Sequence, residues 1–226
     1  MDLDRPPSIV VVAGGERVAP ELVSSLPGDA TVVAADAGVD LAHGLGWPVH
    51  VAVGDFDSIT GAAGDRLARD GIDVQRHPVD KDATDLELAL EVADGLAATV
   101  GEERPCRVLV LGLEGGRPDH ALANLLVASA PRFAALDVEL VLAQGRAWVV
   151  RDELRGTLLP GRLVSIVPVH GPATVSATGV RWALDRAELP AGTTRGVSNV
   201  VEGGPVQVTV HDGTVLCITP HPLENR

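Results

Sequence analysis

The sequence predicts an α/β protein built in two parts. An N-terminal doubly wound, mainly parallel sheet domain is expected over residues 1–152, and a C-terminal all-β sandwich domain over residues 153–226. Two observations lead to this prediction. Up to residue 152, short apolar runs alternate with helical patterns, which is typical of βαβ units. Beyond residue 153, short strand patterns are separated by Gly and Pro turns, without a convincing helical pattern.

The N-terminal half contains five runs that are apolar and β-branched, and most of them end in Gly or Asp; this pattern predicts buried strands. They cover residues 8–15, 31–38, 49–58, 107–116 and 138–145. Between them, apolar residues at i, i+3, i+4 and i+7 spacing predict a helix over residues 85–100. Thr84 and Glu87 form a capping-box pattern at its start.

The C-terminal half shows period-two alternation at residues 206–210, which indicates a strand. The following residues, His211-Asp212-Gly213, precede another apolar run and predict a hairpin.

Composition excludes several classes of function. The formal net charge is −13, and a surface this acidic repels the phosphates of a nucleic acid. No segment approaches the length of a membrane span, and the apolar run at residues 9–13 is too short for a signal peptide. Cys106 and Cys217 match no metal-binding spacing and are expected to be buried free thiols. A cytoplasmic protein that binds neither nucleic acid nor membrane is therefore expected.

Unusual residues cluster at the ends of the predicted strands. These clusters are Gly14-Gly15, Asp36-Ala37-Gly38, residues 54–58 and residues 115–120. The carboxyl ends of parallel strands lie on one edge of the sheet, and open α/β sheets bind their ligands at that edge. The clusters are therefore expected to form one site.

The stretch GDFDS at residues 54–58 raises the possibility of a metal site. Asp57 is also suited to capping a following helix, whereas Asp55 has no such role. Two carboxylates one residue apart can share a divalent cation, and Mg²⁺ prefers such oxygen ligands together with phosphate oxygens. Bound metal would also let an acidic pocket hold a polyphosphate.

Two further stretches supply candidate anion contacts. In KDATD, residues 81–85, Lys81 is a candidate phosphate contact, and Asp85 has the alternative role of stabilising the helix start. In GGRPDH, residues 115–120, Pro118 is expected at the first helical position, and Arg117 is placed to reach an anion. His120 is expected to be a structural histidine that forms a hydrogen bond.

Two features stand out in the β half. Trp182 is one of three tryptophans in a chain without tyrosine. By default a tryptophan in a small sandwich belongs to the core rather than to a ligand platform. Ser198-Asn199 is consistent with a simple turn.

Six stretches, taken in order and with compatible spacing, resemble the thiamine pyrophosphokinase family over nearly the whole chain. They are VVAADAG, GDFDS, KDATD, LGLEGGRPDHALANL, GVRWALD and GVSNVV. The resemblance implies an α/β domain joined to a β-sandwich. It also implies a transfer of pyrophosphate from ATP to the hydroxyl of thiamine, with Mg²⁺ as cofactor and AMP as product. The resemblance further implies a homodimer with active sites shared between the subunits.

The resemblance also implies roles for individual residues. Asp55, Asp57 and Asp85 correspond to the carboxylates for Mg²⁺ and nucleotide, with Asp82 as a further acid of the catalytic group. The residues implied around ATP are Asp36, Lys81, Thr84, Arg117 and Asp119. Trp182 corresponds to a tryptophan that stacks on a thiamine ring, with Ser198 and Asn199 as nearby polar contacts. Which acid accepts the proton of the alcohol stays open.

The implied chemistry agrees with the residues. Attack at the β-phosphorus requires positioning and charge neutralisation, which carboxylate-held metal and Lys81 or Arg117 would supply. An acidic cleft and an indole face suit the thiazolium cation of thiamine. Two alternatives remain: a pyrophosphokinase that acts on another small alcohol, such as a hydroxymethylpterin, and a non-catalytic sensor of thiamine or nucleotide.

Overall fold

The structure is a computed structural model of the 226-residue chain, and it describes residues 1, 7–15, 29–56, 67, 71–100 and 105–220. The strands are β1 Ile9–Val12, β2 Thr31–Ala35, β3 Val51–Gly54, β4 Asp73–Arg76, β5 Cys106–Leu111, β6 Leu136–Leu142, β7 Gly145–Val150, β8 Glu153–Thr157, β9 Leu163–Thr178, β10 Leu184–Leu189, β11 Asn199–Val200 and β12 Pro205–Pro220. The α-helices are α1 Gly38–Gly44, α2 Asp85–Val100 and α3 Pro118–Ala128. None of the helices in these ranges is both long and apolar enough to cross a membrane.

The N-terminal half forms a parallel sheet in the order β6-β5-β1-β2-β3-β4. Its central strands are runs of Val, Leu and Ala that are buried on both faces, as expected for a sheet covered on two sides. Apolar residues of α2 pack on one face, and α1 packs on the other. The prediction of an α/β protein with parallel strands is confirmed in this half.

The sheet continues into the C-terminal half without a break. β7 runs antiparallel to β6 and pairs with β12, which in turn pairs with β9. The result is a mixed sheet, and β7 joins strands on both sides of the expected boundary at residue 152. The division of the chain into domains at residues 1–152 and 153–226 stays a prediction.

The hairpin predicted at residues 211–213 is wrong, because β12 is one strand that bends there. Gly213 has a φ of 84°, and His170 of the paired strand β9 has a φ of 61°. The pairing between β9 and β12 continues past this point with two register shifts, as in a β-bulge. Turn-forming residues therefore bend two paired strands together instead of reversing one of them.

The bend lets both halves of β9 and β12 enclose a separate core. Val164 and Ile166 before the bend and Val175 and Ala177 after it belong to the same cluster of buried residues. Trp148 and Cys217 also lie in this cluster. Cys217 and Cys106 are both buried free thiols, as expected from the sequence.

Candidate functional site

The predicted strand-end clusters meet at the carboxyl edge of the parallel sheet, where they surround a cleft of about 420 Å³. The chain proceeds from β1 to β2, β3 and β4 on one side, and β5 and β6 lie on the other side of β1. The cleft thus lies where the strand order reverses, which is the usual ligand position in such folds. It is lined by Ala13, Gly14, Gly15, Ala35, Asp36, Ala37, Thr84, Asp85, Leu86, Gly112, Leu113, Gly115, Arg117, His120 and Asn124.

The floor of this cleft is made of closely approaching backbone. The Gly15 N–H donates to the Gly112 carbonyl at 2.9 Å, and a β-carbon at Gly15 would lie 2.2 Å from that oxygen. Only glycine fits at this distance, so the ends of β1 and β5 are held together without side chains. Exposed backbone of this kind allows close approach by a phosphate group.

Gly54 explains why the GDFDS stretch begins with glycine. Its φ is 149°, and a β-carbon built on it would lie 3.2 Å from both the Asp36 β-carbon and the Asp85 Oδ1. Asp36 and Phe56, on either side of this contact, have positive φ values of 45° and 62°. Strained backbone concentrated at one place is typical of functional sites, because the surrounding structure must maintain it. Gly54 therefore lets two acids approach the end of β3.

Asp55 and Asp85 are joined by one cation, the ammonium group of Lys81. The Lys81 Nζ lies 2.9 Å from Asp55 Oδ2 and 2.9 Å from Asp85 Oδ1. Burial alone would lower the pKa of Lys81, but its hydrogen bonds to Asp85 and Asp55 and their negative charges raise that pKa above the ordinary value. The lysine therefore stays charged between two carboxylates.

The donor set of this pair fits a divalent cation. Two carboxylates already hold a positive group between them, and carboxylate oxygens are the ligands that Mg²⁺ prefers. Among the described residues, no group of three or more His, Cys, Asp and Glu side chains is arranged to hold a metal ion. Asp57, the third predicted metal ligand, lies outside the described residues.

The KDATD stretch leads directly into α2. The Glu87 N–H donates to the Thr84 hydroxyl at 3.3 Å, which confirms Thr84 as the cap of this helix. The reciprocal half of the capping box is not formed among the described residues, because the Glu87 carboxylate pairs with Arg132 at 2.5 Å. Thr84 and Asp85 line the cleft, whereas Asp82 is exposed and is not among its lining residues.

The GGRPDH stretch leads into α3, with Pro118 at the first helical turn as predicted. Arg117 lines the cleft, and its Nε donates to Asp119 Oδ1 at 3.2 Å. This hydrogen bond lowers the pKa of the exposed Asp119 carboxyl to about 2. His120 also lines the cleft and is exposed, so it is accessible from the cleft rather than enclosed in the core.

Asn124 is a residue of the cleft that sequence reasoning missed. Its side chain is buried in α3, lines the cleft, and donates from Nδ2 to the Leu113 carbonyl at 2.8 Å. The bond fixes the loop after β5 against the helix. An amide within the apolar run ALANLLVA was the available signal, because buried polar side chains need a specific partner.

Trp182 lies on the surface, so the default assignment of this residue to the core is wrong. Its side chain is 57% exposed, while Trp47 and Trp148 are buried. Asn199 fixes the backbone of this residue. The backbone N–H of Trp182 donates to Asn199 Oδ1 at 3.0 Å, and Asn199 Nδ2 donates to the backbone carbonyl of Trp182 at 2.8 Å. Ser198 is exposed with a φ of 61°. The three predicted thiamine-binding residues therefore lie together.

The Trp182 group and the acids lie in different parts of the fold. Asn199 begins β11, which pairs with β9, whereas Asp55 directly follows β3 and Asp85 begins α2. Eight strand pairings separate β11 from β3, along the path β11-β9-β12-β7-β6-β5-β1-β2-β3. The structure thus brings the predicted site residues together as two groups, one at the carboxyl edge of the parallel sheet and one beside β11.

Two family models match this chain over most of its length. The one described as the catalytic domain of thiamin pyrophosphokinase matches residues 24–140, and the one described as the vitamin B1 binding domain of that enzyme matches residues 151–215. The first range contains Asp36, Asp55 and Asp85, and the second contains Trp182, Ser198 and Asn199.

Two curated relatives of this chain are named as thiamine pyrophosphokinases. The chain is 26% identical to the thiamine pyrophosphokinase of Bacillus subtilis over 205 residues, covering 85% of this chain and 88% of that protein. It is 27% identical to thiamine pyrophosphokinase 1 of Oryza sativa, covering 74% of this chain and 64% of that protein.

Solved structures share the fold. The crystal structure of the Bacillus subtilis enzyme has a TM-score of 0.80 at 24% identity, covering 95% of this chain and 99% of that chain. The structure of thiamin pyrophosphokinase from Candida albicans has a TM-score of 0.76 at 14% identity, covering 95% and 89%.

Proposed function

The chain belongs to the thiamin pyrophosphokinase family, and we propose that it transfers pyrophosphate from ATP to the hydroxyl of thiamine, giving thiamine diphosphate and AMP. The observation that carries this proposal is the pairing of Asp55 and Asp85 through one cation beside a glycine-lined cleft. That arrangement provides separate places for phosphate groups and for metal. The matching family is a family of enzymes. The two alternatives, a pterin pyrophosphokinase and a non-catalytic sensor, are therefore not favoured.

ATP occupies the cleft at the carboxyl edge of the sheet. The glycines that follow β1 and β5 line this cleft without side chains and leave space for phosphate oxygens. Arg117 at the rim provides a positive charge, and Thr84 and Asp36 line the wall. Asp82 and Asp119 are exposed and are not among the residues that line the cleft, and Asp119 holds the guanidinium group of Arg117.

Asp55 and Asp85, together with Asp57, would hold Mg²⁺. The metal would supply positive charge against the charge that develops on the phosphate groups during transfer. Asp55 and Asp85 already converge on a cation, so neither carboxylate needs a large movement to serve as a ligand. Lys81 and Arg117 complement the negative charge of the triphosphate.

Thiamine binds on the exposed face of Trp182. An indole ring attracts a thiazolium cation by stacking and cation–π interaction, which is worth about 0.5–2 kcal/mol. The net charge of −13 further favours a cationic acceptor over an anionic one. Ser198 is exposed beside the ring and serves as a polar contact, whereas the buried Asn199 positions the backbone of Trp182.

A homodimer brings the two groups together. Trp182 and the acids of one chain belong to strands that are eight pairings apart, which favours a site completed by a second subunit. In a two-fold dimer, the Trp182 surface of each subunit covers the acidic cleft of the other. Each active site then combines residues of both chains.

The reaction forms a bond between the hydroxyl oxygen of thiamine and the β-phosphorus of ATP. The bond between that phosphorus and the α–β bridging oxygen breaks, and AMP leaves. Positioning supplies most of the rate, because little covalent assistance is needed for such a transfer. A carboxylate of the site accepts the proton of the alcohol and passes it to solvent. With ATP as substrate, a cytoplasmic location is part of this proposal.

The first test is incubation of the purified protein with ATP, Mg²⁺ and thiamine, followed by separation of nucleotides and thiamine esters. AMP and thiamine diphosphate are expected in equal amounts. Addition of EDTA and the substitution Asp85→Asn should each abolish both products. ADP with thiamine monophosphate would contradict pyrophosphoryl transfer, and absence of any thiamine ester would contradict thiamine as the acceptor.

A further inference from the structure

Lys81 occupies a position in which it competes with a metal ion. Its Nζ lies midway between Asp55 Oδ2 and Asp85 Oδ1, at 2.9 Å from each, and its side chain is only 12% exposed. A cation bound to both of these oxygens would have to take the space of the ammonium group. Two cations in one place would also repel each other strongly.

The residue type at position 81 is unusual for this chain. Of the 18 basic residues in the chain, 17 are arginines, and Lys81 is the single lysine. The two side chains are not equivalent, because a guanidinium is a broad planar fork whereas an ammonium is a compact point charge on a flexible stem. Of the two, the ammonium is closer in size and charge density to a metal ion, and it can also move away along its stem.

We propose that Lys81 holds the place of the metal in the nucleotide-free enzyme and makes metal binding conditional on the triphosphate. Without nucleotide, metal must break both ion pairs of Lys81 and leave its charge without an anion. With ATP in the adjacent cleft, the ammonium transfers to a phosphate oxygen as the metal takes its place. This inference rests on the proposed function of the cleft and adds an order of events to it.

The electrostatics of the cluster support this exchange. If Asp55 and Asp85 faced each other without a cation, their charges would repel and the two carboxylates would separate. The ammonium keeps them in position for the metal, so the site stays organised before the substrate arrives. The same exchange prevents the nucleotide-free enzyme from retaining divalent metal. Metal and nucleotide affinities are then coupled, and the coupling is the same in both directions.

The test is a Mn²⁺ titration of the protein followed by electron paramagnetic resonance of the free ion, with and without α,β-methylene ATP. For the unsubstituted chain we expect weak binding of Mn²⁺ alone and much tighter binding with the analogue. The variant Lys81→Met removes the charge and keeps the length of the side chain. It should bind Mn²⁺ alone at least about tenfold more tightly and show a correspondingly smaller effect of the analogue. Equal or weaker binding of Mn²⁺ alone by this variant would overturn the proposal.

A second measurement uses the unsubstituted protein and therefore does not depend on folding of the variant. Lysine labelled with ¹³C and ¹⁵N gives signals from Lys81 only, because the chain has no other lysine. The side-chain signal should change little with Mg²⁺ alone and shift when Mg²⁺ and the analogue are both present. An unchanged signal in the ternary complex would overturn the proposal.

Neither measurement requires turnover or thiamine. A wrong acceptor would therefore appear in the product assay and leave these two results intact.

Discussion

Gly54 lies so close to Asp85 that a β-carbon built on the glycine would be 3.2 Å from the Asp85 Oδ1. Asp36 is equally close on the other side. The glycine at the end of β3 therefore sets the spacing between a strand-end acid and the first residue of α2. Any side chain at this position would push apart the residues that we assign to metal and nucleotide.

Gly54→Ala is expected to lower kcat/KM by about 10- to 100-fold, because small displacements of catalytic groups have effects of this size. The φ of 149° adds a loss of stability of about 1–3 kcal/mol, because residues with a β-carbon rarely adopt this backbone conformation. Steady-state kinetics and thermal unfolding would measure both effects.

Gly46→Ala is the matched control for this substitution. Gly46 also has a positive φ, 74°, but nothing lies within 4 Å of the position of its β-carbon. The Gly46→Ala variant should lose about 1 kcal/mol of stability, because a left-handed conformation disfavours a β-carbon, and it should keep its activity. A Gly54→Ala enzyme as active as the Gly46→Ala enzyme would show that the spacing of Asp36 and Asp85 is not critical.

The strand ends could be predicted from the sequence because they depend on local patterns. An apolar β-branched run followed by Gly and Asp indicates a buried parallel strand, and the ends of parallel strands necessarily meet. That reasoning predicts Asp36 and Asp55 at one edge, whereas Asp85, at the start of a helix, is assigned to the same site only through the family resemblance. The sequence also predicts Thr84 as a helix cap, because a cap depends on a contact between residues only three positions apart.

Features that depend on pairing between distant segments could not be predicted in this way. The bend at Gly213 resembles a hairpin turn locally, and only the partner strand β9, bent at the same point, makes it a bulge. The bridge from Lys81 to Asp55 spans 26 residues. The exposure of Trp182 follows from the buried Asn199 behind it, which fixes the backbone so that the ring faces outward.

Trp182→Ala is expected to raise the KM for thiamine by about 3- to 30-fold, which corresponds to the loss of a stacked cation. The KM for ATP should not change. Stability should change by less than about 0.5 kcal/mol, since the ring is largely exposed. Trp182→Phe keeps an aromatic face, so its KM for thiamine should lie between that of the unsubstituted protein and that of Trp182→Ala. A large loss of stability with unchanged thiamine KM would mean that the ring has a structural role.

Asn199→Ala should affect both stability and thiamine binding. It leaves the buried N–H groups of Trp182 and Val200 without their acceptor, at a cost of about 1–3 kcal/mol in the free energy of unfolding. The loop that presents the ring would then move, so the KM for thiamine should rise while that for ATP stays constant.

Asn124→Ala is the comparison for Asn199→Ala, since it removes a buried amide that fixes the nucleotide cleft. It should raise the KM for ATP and leave the KM for thiamine unchanged. If both variants changed the same KM, the assignment of ATP to the cleft and of thiamine to the Trp182 surface would be wrong.

Cys217 should make the protein less stable at alkaline pH. Burial raises the pKa of its thiol to about 12. In the unfolded chain the thiol ionises at its ordinary pKa, whereas the folded chain keeps it protonated. Its contribution to stability is therefore fully present below about pH 9 and is lost as the pH rises towards 12, by up to about 1.4 kcal/mol per pH unit.

Cys217→Ala lacks this dependence. Urea unfolding at pH 8.0 and pH 10.5 should show a loss of stability about 2 kcal/mol larger for the unsubstituted protein than for the variant. Other groups titrate equally in both proteins and cancel in the difference. Equal losses in the two proteins would mean that the thiol is accessible to water in the folded state.

If the active site is shared between two subunits, as we propose, two defective variants should restore activity when mixed. Asp85→Asn damages the acidic cleft, and Trp182→Ala damages the thiamine surface. In a heterodimer of the two, one site combines the intact acids of one subunit with the intact tryptophan of the other. Random exchange of equal amounts should therefore recover about a quarter of the unsubstituted activity, measured at a thiamine concentration below the KM of either variant. Native mass spectrometry would confirm that subunits have exchanged. Heterodimers without recovered activity would show that each site belongs to one chain, and a stable monomer in sedimentation would exclude the dimer altogether.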